Sequence, residues 1–171
     1  LGYGGSWFPQ AVKALLRTSR QLGVEPAVLQ AVEDVNEGQK ALILRRVVER
    51  FGEDLTGRAF ALWGLSFKPN TDDMREAPSL VTVAGLLERG ARVLAHDPAA
   101  MHEARRILGD RVSFVDVNYD ALKGASALLI HTEWHPYRHP DFKRIHSALV
   151  EKVVIDGRNL YSPEKMRDLG F

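Results

Sequence analysis

The sequence predicts an α/β protein in which a helical N-terminal segment precedes a doubly wound, all-parallel sheet. Three observations predict it. Apolar residues recur at helical spacing through roughly the first fifty positions. After Glu53-Asp54-Leu55-Thr56-Gly57 the pattern changes to short, near-continuous apolar runs. Those runs alternate with amphipathic stretches, as strands buried on both faces alternate with the helices that cover them. The change of pattern divides the chain into a helical unit, 1–55, and an α/β unit, 56–171.

The first helix is expected over 9–22. Val12, Leu15, Leu16 and Leu22 fall mainly on one face, Pro9 suits a first turn, and Gly23 ends the run. A second helical pattern runs over 26–51, with Val28, Val32, Val35, Leu42, Val47, Val48 and Phe51 in its apolar stripe. One continuous helix there would be about 39 Å long. That length exceeds the need of one small domain, so part of the stripe is expected to pack on another domain or subunit. Gly38 marks the expected bend or close contact in it. Strands are expected at 59–65, 91–96, 112–115, 127–131 and 153–156, with helices at 78–89, 99–108, 119–123 and 142–149.

With 171 residues the chain is long enough to bury a core without cross-links. It has no Cys, which excludes disulfides, thiol catalysis and Cys-based zinc sites. A formal net charge of +1 gives no ground for expecting nucleic acid or an anionic membrane as partner. No apolar run approaches the roughly 20 residues of a membrane span, and no signal-peptide pattern is present. A cytoplasmic protein is therefore the expectation. Leu1 stands inside a Gly-rich motif and Phe171 follows directly on a helical pattern, so the chain is expected to be part of something longer.

Three segments carry candidate chemistry. Gly2-Tyr3-Gly4-Gly5-Ser6-Trp7-Phe8-Pro9 opens the first helix. Its glycines let backbone approach a ligand, and a helix N-terminus offers free N–H groups to an anion. The first strand leads into Gly64-Leu65-Ser66-Phe67-Lys68-Pro69-Asn70-Thr71-Asp72-Asp73-Met74-Arg75-Glu76-Ala77-Pro78. Open α/β sheets hold ligands beyond the carboxyl ends of their strands, which places the cations Lys68 and Arg75 where phosphates would sit. The segment has no G-x-G-x-x-G, so side-chain charge rather than a backbone cradle would hold a nucleotide. The alternative is a solvated turn in which Lys68 and Arg75 pair with Asp72, Asp73 and Glu76. The last strand delivers Asp156-Gly157-Arg158-Asn159, where Arg158 could grip phosphate with its planar fork or simply form a surface turn with Asp156. His131, His135 and His139 recur every four residues, but Pro136 and Pro140 disrupt the helix that would align them, so no metal site is expected. Trp134 is read as a core residue.

These segments resemble the UDP-glucose 6-dehydrogenase family. FKPNTDDMREAP is similar to that family's FKPNTDDIRESP, Thr132-Glu133-Trp134 to its Thr-Glu-Trp, and Asp156-Gly157-Arg158-Asn159 to its Asp-Gly-Arg-Asn. GYGGSWFPQA resembles the family's Gly-Tyr-Gly-Gly-Ser-Cys-Phe-Pro-Lys-Asp, with Trp7 in place of the nucleophilic Cys, Gln10 in place of Lys and Ala11 in place of the assisting Asp. Asn36, Glu37 and Gln39 match its central-helix pattern. The resemblance implies a UDP-binding α/β domain and a central helix, 26–51, that forms a homodimer. It implies NAD as cofactor and oxidation of UDP-glucose to UDP-glucuronate for polysaccharide precursors. Gly2, Tyr3, Gly4, Phe67, Lys68 and Arg158 would meet the UDP-sugar, and Arg75 and Gln10 the NAD. A thiolate is needed there to form a covalent thiohemiacetal, and indole cannot supply one. The chain alone is accordingly expected to bind without turning over, as a piece of the enzyme or as a degenerate binding module. Relatives acting on GDP-mannose or UDP-N-acetylmannosamine are the remaining alternative.

Overall fold

The computed structural model describes residues 1–171. Helix α1 spans Trp7–Gln21, two residues earlier than the periodicity suggests, because Trp7 and Phe8 join its first turn. The expected single helix over 26–51 is two helices, α2 at Ala27–Lys40 and α3 at Leu42–Phe51. The ladder breaks at Ala41, whose ψ is −3°, and not at Gly38, which meets nothing on the side a Cβ would occupy. Burial explains the place of the break. α3 must turn Ile43 and Val47 into the core of the α/β unit, while Val28, Val32 and Val35 of α2 remain exposed.

Five parallel strands complete the framework: β1 at Ala59–Trp63, β2 at Arg92–His96, β3 at Ser113–Phe114, β4 at Ala127–Ile130 and β5 at Val153–Asp156. Their order is β3-β2-β1-β4-β5, so the chain winds outward one way from β1 and then returns to wind the other way from β4. The period of two along β1 divides the core. Phe60 and Leu62 face a cluster with Ile43, Val47 and, from helix α4 at Pro78–Glu88, Val83 and Leu86. Helix α5, Met101–Leu108, adds Ala104 and Leu108 to that side. Ala61 and Trp63 face the opposite cluster, with Leu122, Tyr137 and Ile145. Both faces of the sheet are therefore covered, and β1 is buried throughout, as its unbroken apolar run requires.

The second face is covered by less regular structure than the sequence suggests. Residues Asn118–Leu122 form a 3₁₀ turn. His135–Arg138 forms a one-turn helix, α6, which leaves out His131 and His139; no helix aligns the three histidines, as Pro136 and Pro140 lead one to expect. Pro136 sits in its first turn, where the missing N–H would have had no partner. Helix α7 spans Phe142–Ala148, with the Asp141 carboxylate accepting from the Arg144 amide as its cap. A final helix, α8 at Pro163–Asp168, forms the helical pattern that precedes Phe171 and is capped by Ser162. Its signal was the Ser-Pro pair, an N-cap followed by proline at the first helical position. No helix is long and apolar enough to cross a membrane.

Candidate functional site

The chain reverses its winding direction between β1 and β4, and a crevice at that point is where a doubly wound sheet receives ligands. Here the segments leaving the two strands are drawn together. Gly64 has φ 91°, and a Cβ on it would lie 2.5 Å from the Thr132 Cβ, so only glycine allows this approach. The Thr132 hydroxyl then donates to the Ser66 carbonyl at 2.6 Å.

A buried carboxylate fixes the segment that leaves β1. Asp97, at the end of β2, accepts through Oδ2 from the amides of Leu65 and Ser66, from the Ser66 hydroxyl and from the Trp134 indole, at 2.7 to 3.2 Å. Its Oδ1 accepts from the amides of Ala99 and Ala100. Trp134 is therefore a core residue as expected, and its indole N–H ties β4's exit to the same carboxylate. Asp97 is the functional-region residue that sequence reasoning missed. It belongs to no charge cluster, and its signal was only an acid at the carboxyl end of a strand.

From this base, Phe67 and Lys68 project outward. Phe67 is half-buried beneath the Gly-rich loop, where a Cβ on Gly5 would come within 2.8 Å of its ring and one on Gly4 within 2.9 Å of its Cβ. The Gly5 amide donates to the Arg75 carbonyl at 2.7 Å. The loop and the 67–76 segment, far apart in sequence, thus form one surface. The Lys68 ammonium lies 5.3 Å from the Phe67 ring centre and forms no ion pair. The solvated-turn alternative does not describe this lysine, which remains available to an anion.

It does describe Arg75. Its Nε and Nη2 hold both oxygens of Asp73 at 2.9 and 2.8 Å, and the side chain is 66% exposed. That bidentate grip lowers the Asp73 pKa and raises that of Arg75. Nη1 makes no hydrogen bond within the chain, so the exposed edge still presents donors.

Arg158 is turned inward rather than to solvent. Its Nε donates to the His131 carbonyl at 2.7 Å and its Nη2 to the Phe67 carbonyl at 3.1 Å, joining the exits of β1, β4 and β5. The Glu133 carboxylate lies 3.1 Å from Nε. Asp156 does not pair with this side chain; it accepts from the backbone amides of Arg158, Leu160 and Tyr161 and shapes the turn. Of the sequence-predicted residues, the structure brings together Gly4, Phe67 and Arg158 through these contacts, with Lys68 adjacent. Gly2 and Tyr3 instead meet α2, where the Asn36 side chain bonds the Tyr3 amide. Trp7, Gln10 and Ala11 lie on the exposed start of α1, and Trp7 is 84% exposed.

His131 is fully enclosed beside Arg158. Thr82 Oγ1 donates to the Pro78 carbonyl at 3.5 Å, so the consistent assignment has His131 Nε2–H donating to Thr82 Oγ1 at 2.9 Å. Nδ1 is left without a partner. Burial, and secondarily the positive charge of Arg158, lower the imidazole pKa from 6.5 to about 3. His131, His135 and His139 do not converge, and no three His, Asp or Glu side chains come together as a metal-holding set.

Known proteins resemble this chain in sequence and fold. Residues 61–163 match the UDP-glucose/GDP-mannose dehydrogenase family, UDP binding domain, and residues 1–38 match the central domain of that family. A UDP-glucose 6-dehydrogenase of Pseudomonas aeruginosa is 46% identical over 99% of this chain, which covers 39% of that protein. UDP-glucose 6-dehydrogenase TuaD of Bacillus subtilis is 37% identical over all of this chain, which covers 37% of it. The solved UDP-glucose dehydrogenase of the hyperthermophilic archaeon Pyrobaculum islandicum superposes with a TM-score of 0.84 at 40% identity, covering 98% of this chain and 36% of that one. The chain thus spans under two fifths of the length of these relatives.

Proposed function

Because this chain belongs to the UDP-glucose/GDP-mannose dehydrogenase family, we propose that it holds the nucleotide-sugar in an NAD-dependent oxidation of UDP-glucose to UDP-glucuronate. The observation that carries this reading is the joint surface of the Gly-rich loop and Phe67, with Lys68 unpaired beside it. An ammonium with no internal partner is suited to a diphosphate, and backbone N–H groups at the start of α1 add to the positive field. Arg158 organises this surface through the Phe67 carbonyl and retains Nη1 for a ligand. Tyr3 and Gly2 set the course of the loop that would lie along the sugar.

Arg75 and Gln10 suit the pyrophosphate of a dinucleotide: both are exposed, one a charged fork and the other a neutral amide. NAD would supply the hydride acceptor when bound. The part of Arg75 is to orient it from the edge not engaged by Asp73. The exposed Val28, Val32 and Val35 on α2 favour burial against a second copy, making the 26–51 stretch a homodimer seam. Domain limits of 1–55 and 56–171 and a cytoplasmic, polysaccharide-precursor role belong to the same reading.

Trp7 favours a second feature, binding without turnover. An indole replaces the thiolate at the loop position and Ala11 the assisting carboxylate. We expect Trp7→Cys in this 171-residue chain to yield no NADH from UDP-glucose and NAD, read by absorbance; measurable turnover would mean that Trp7 alone withholds catalysis and that the remaining length of the relatives is not needed for it.

Calorimetric titration with UDP, UDP-glucose and GDP-mannose in parallel tests the proposal. UDP and UDP-glucose are expected to bind and GDP-mannose is not; the reverse preference would move the substrate to the guanosine branch. Lys68→Ala is expected to weaken UDP about tenfold, the loss of one charge-assisted bond to phosphate. Unchanged affinity would remove Lys68 from the site.

A further inference from the structure

One side of α2 touches both halves of the candidate site at once. Asn36, 4% exposed, accepts from the Tyr3 amide through Oδ1 at 2.7 Å and donates from Nδ2 to the Tyr3 carbonyl at 3.4 Å. Its side chain thereby pairs with the loop as a neighbouring strand would. A Cβ on Gly2 would lie 2.6 Å from that same Oδ1, which makes the glycine part of the fit. One turn further on, Lys40 is 2% exposed, and its Nζ reaches Glu37 at 2.8 Å and Glu76 at 2.7 Å.

Glu76 is an unusual residue to hold. It has φ 54°, a left-handed conformation uncommon for a side chain of this kind. That conformation sends its own carbonyl to Gly4, where a Cβ would come within 2.6 Å, and it follows Arg75, whose carbonyl receives the Gly5 amide. Lys13 of α1 grips the other Glu76 oxygen at 2.7 Å and lies 3.9 Å from Glu33. Glu33 in turn accepts from the Tyr3 hydroxyl at 3.1 Å. Contacts therefore run in a closed circuit from α2 to the Gly-rich loop, through the 75–76 backbone, and back to α2.

A buried ammonium costs more to retain than an apolar side chain of the same length, and a packing role alone gives no reason for it. We propose that Asn36 and Lys40 are positioning residues: together they set the Gly-rich loop and the Arg75-Glu76 turn in one register, so that the two ligand-facing segments form as a unit. Asn36 fixes the loop directly, and Lys40 fixes the turn by holding Glu76. Burial works against charge on Lys40, yet the two carboxylates overcome it and raise its pKa, so the ammonium is charged throughout the neutral range. The identity of the ligand on the assembled surface rests on the function proposed above; the assembly of that surface does not.

The experiment is residue-resolved amide hydrogen exchange on the ¹⁵N-labelled chain, with UDP affinity measured on the same samples. In Lys40→Met, which keeps the stem and removes the charge, the Gly5 amide is expected to exchange at least tenfold faster. Amides of β1 and β4 should stay within about twofold, and Lys40→Arg should restore most of the Gly5 protection. Glu76→Gln, at the more exposed end of the pair, should reproduce the Gly5 effect and serves equally if Lys40→Met does not fold. The double variant should be no worse than the more affected single one. Unchanged Gly5 exchange, or acceleration spread evenly through the sheet, would overturn the proposal. If the variants accelerate Gly5 exchange while the unsubstituted chain fails to bind UDP, the positioning role stands and the UDP reading fails.

Discussion

Asp97→Ala is expected to lower the unfolding free energy by about 3–5 kcal/mol, the range seen when one partner of a buried, charged hydrogen-bonded set is removed. The melting temperature should fall by on the order of 10 °C for a chain of this size. Six donors converge on that carboxylate, four of them at or beyond the exit of β1 and β4. Alanine leaves the five N–H donors to find other partners where little water reaches, while the Ser66 hydroxyl keeps the Lys68 carbonyl at 3.0 Å as acceptor. The loss should also appear in binding, because the amides of Leu65 and Ser66 are the base from which Phe67 and Lys68 project. Urea unfolding and UDP titration of the same variant measure both. A cost below about 1 kcal/mol would mean that water replaces the carboxylate, and that the 65–68 segment is held by other contacts.

His131 should make the folded state pH-dependent in a window where surface carboxylates contribute little. Its folded pKa, about 3, lies below the ordinary value of 6.5. The unfolded chain therefore takes up a proton that the folded protein refuses. The stability is present above pH 6.5 and is lost as pH falls toward 3, at up to about 1.4 kcal/mol per pH unit. His131→Gln cannot titrate, so between about pH 6 and 4.5 its unfolding free energy should fall less steeply than that of the parent by roughly 1 kcal/mol per unit. Equal slopes would mean that His131 charges inside the fold. Glu76 adds a smaller trend of the same sign at lower pH, since Lys13 and Lys40 depress its pKa and its ion pairs are lost as pH falls through that depressed value.

The parts of this molecule that were legible in the sequence are those fixed by burial. β5 was read with its observed bounds because Val153, Val154 and Ile155 form an apolar run closed by Asp156 and Gly157. The apolar runs expected as β1 and β4 extend two residues and one residue past the paired strands, since Gly64, Leu65 and His131 are as enclosed as the strands they follow. β3 pairs with β2 only through Ser113 and Phe114, inside the expected 112–115 run. The break at Ala41 left no local mark; it comes from where α3 must point, which is a tertiary demand. α6 was obscured by prolines that its first turn tolerates.

The candidate site divides in the same way. Motif residues on the strand exits were legible, and the structure joins Gly4, Phe67 and Arg158 into one surface. The residues that hold them were not. Asp97, Asn36 and Lys40 are ordinary polar residues in sequence, and their importance comes from partners about 30 or more positions away. Arg158 shows the limit from the other side. Its residue type pointed to phosphate, while the structure commits two of its nitrogens to the Phe67 and His131 carbonyls.

A nucleotide is expected to bind at the carboxyl ends of β1 and β4, on the surface shared by the Gly-rich loop and the 67–75 segment. A UDP titration followed by amide chemical shifts in the ¹⁵N-labelled chain tests it most directly. Saturable shifts at Gly4, Gly5, Phe67, Lys68 and Arg158, with the β3 edge and α7 unchanged, are the predicted result. Saturable shifts confined to any other part of the fold, or none at millimolar UDP, would contradict it.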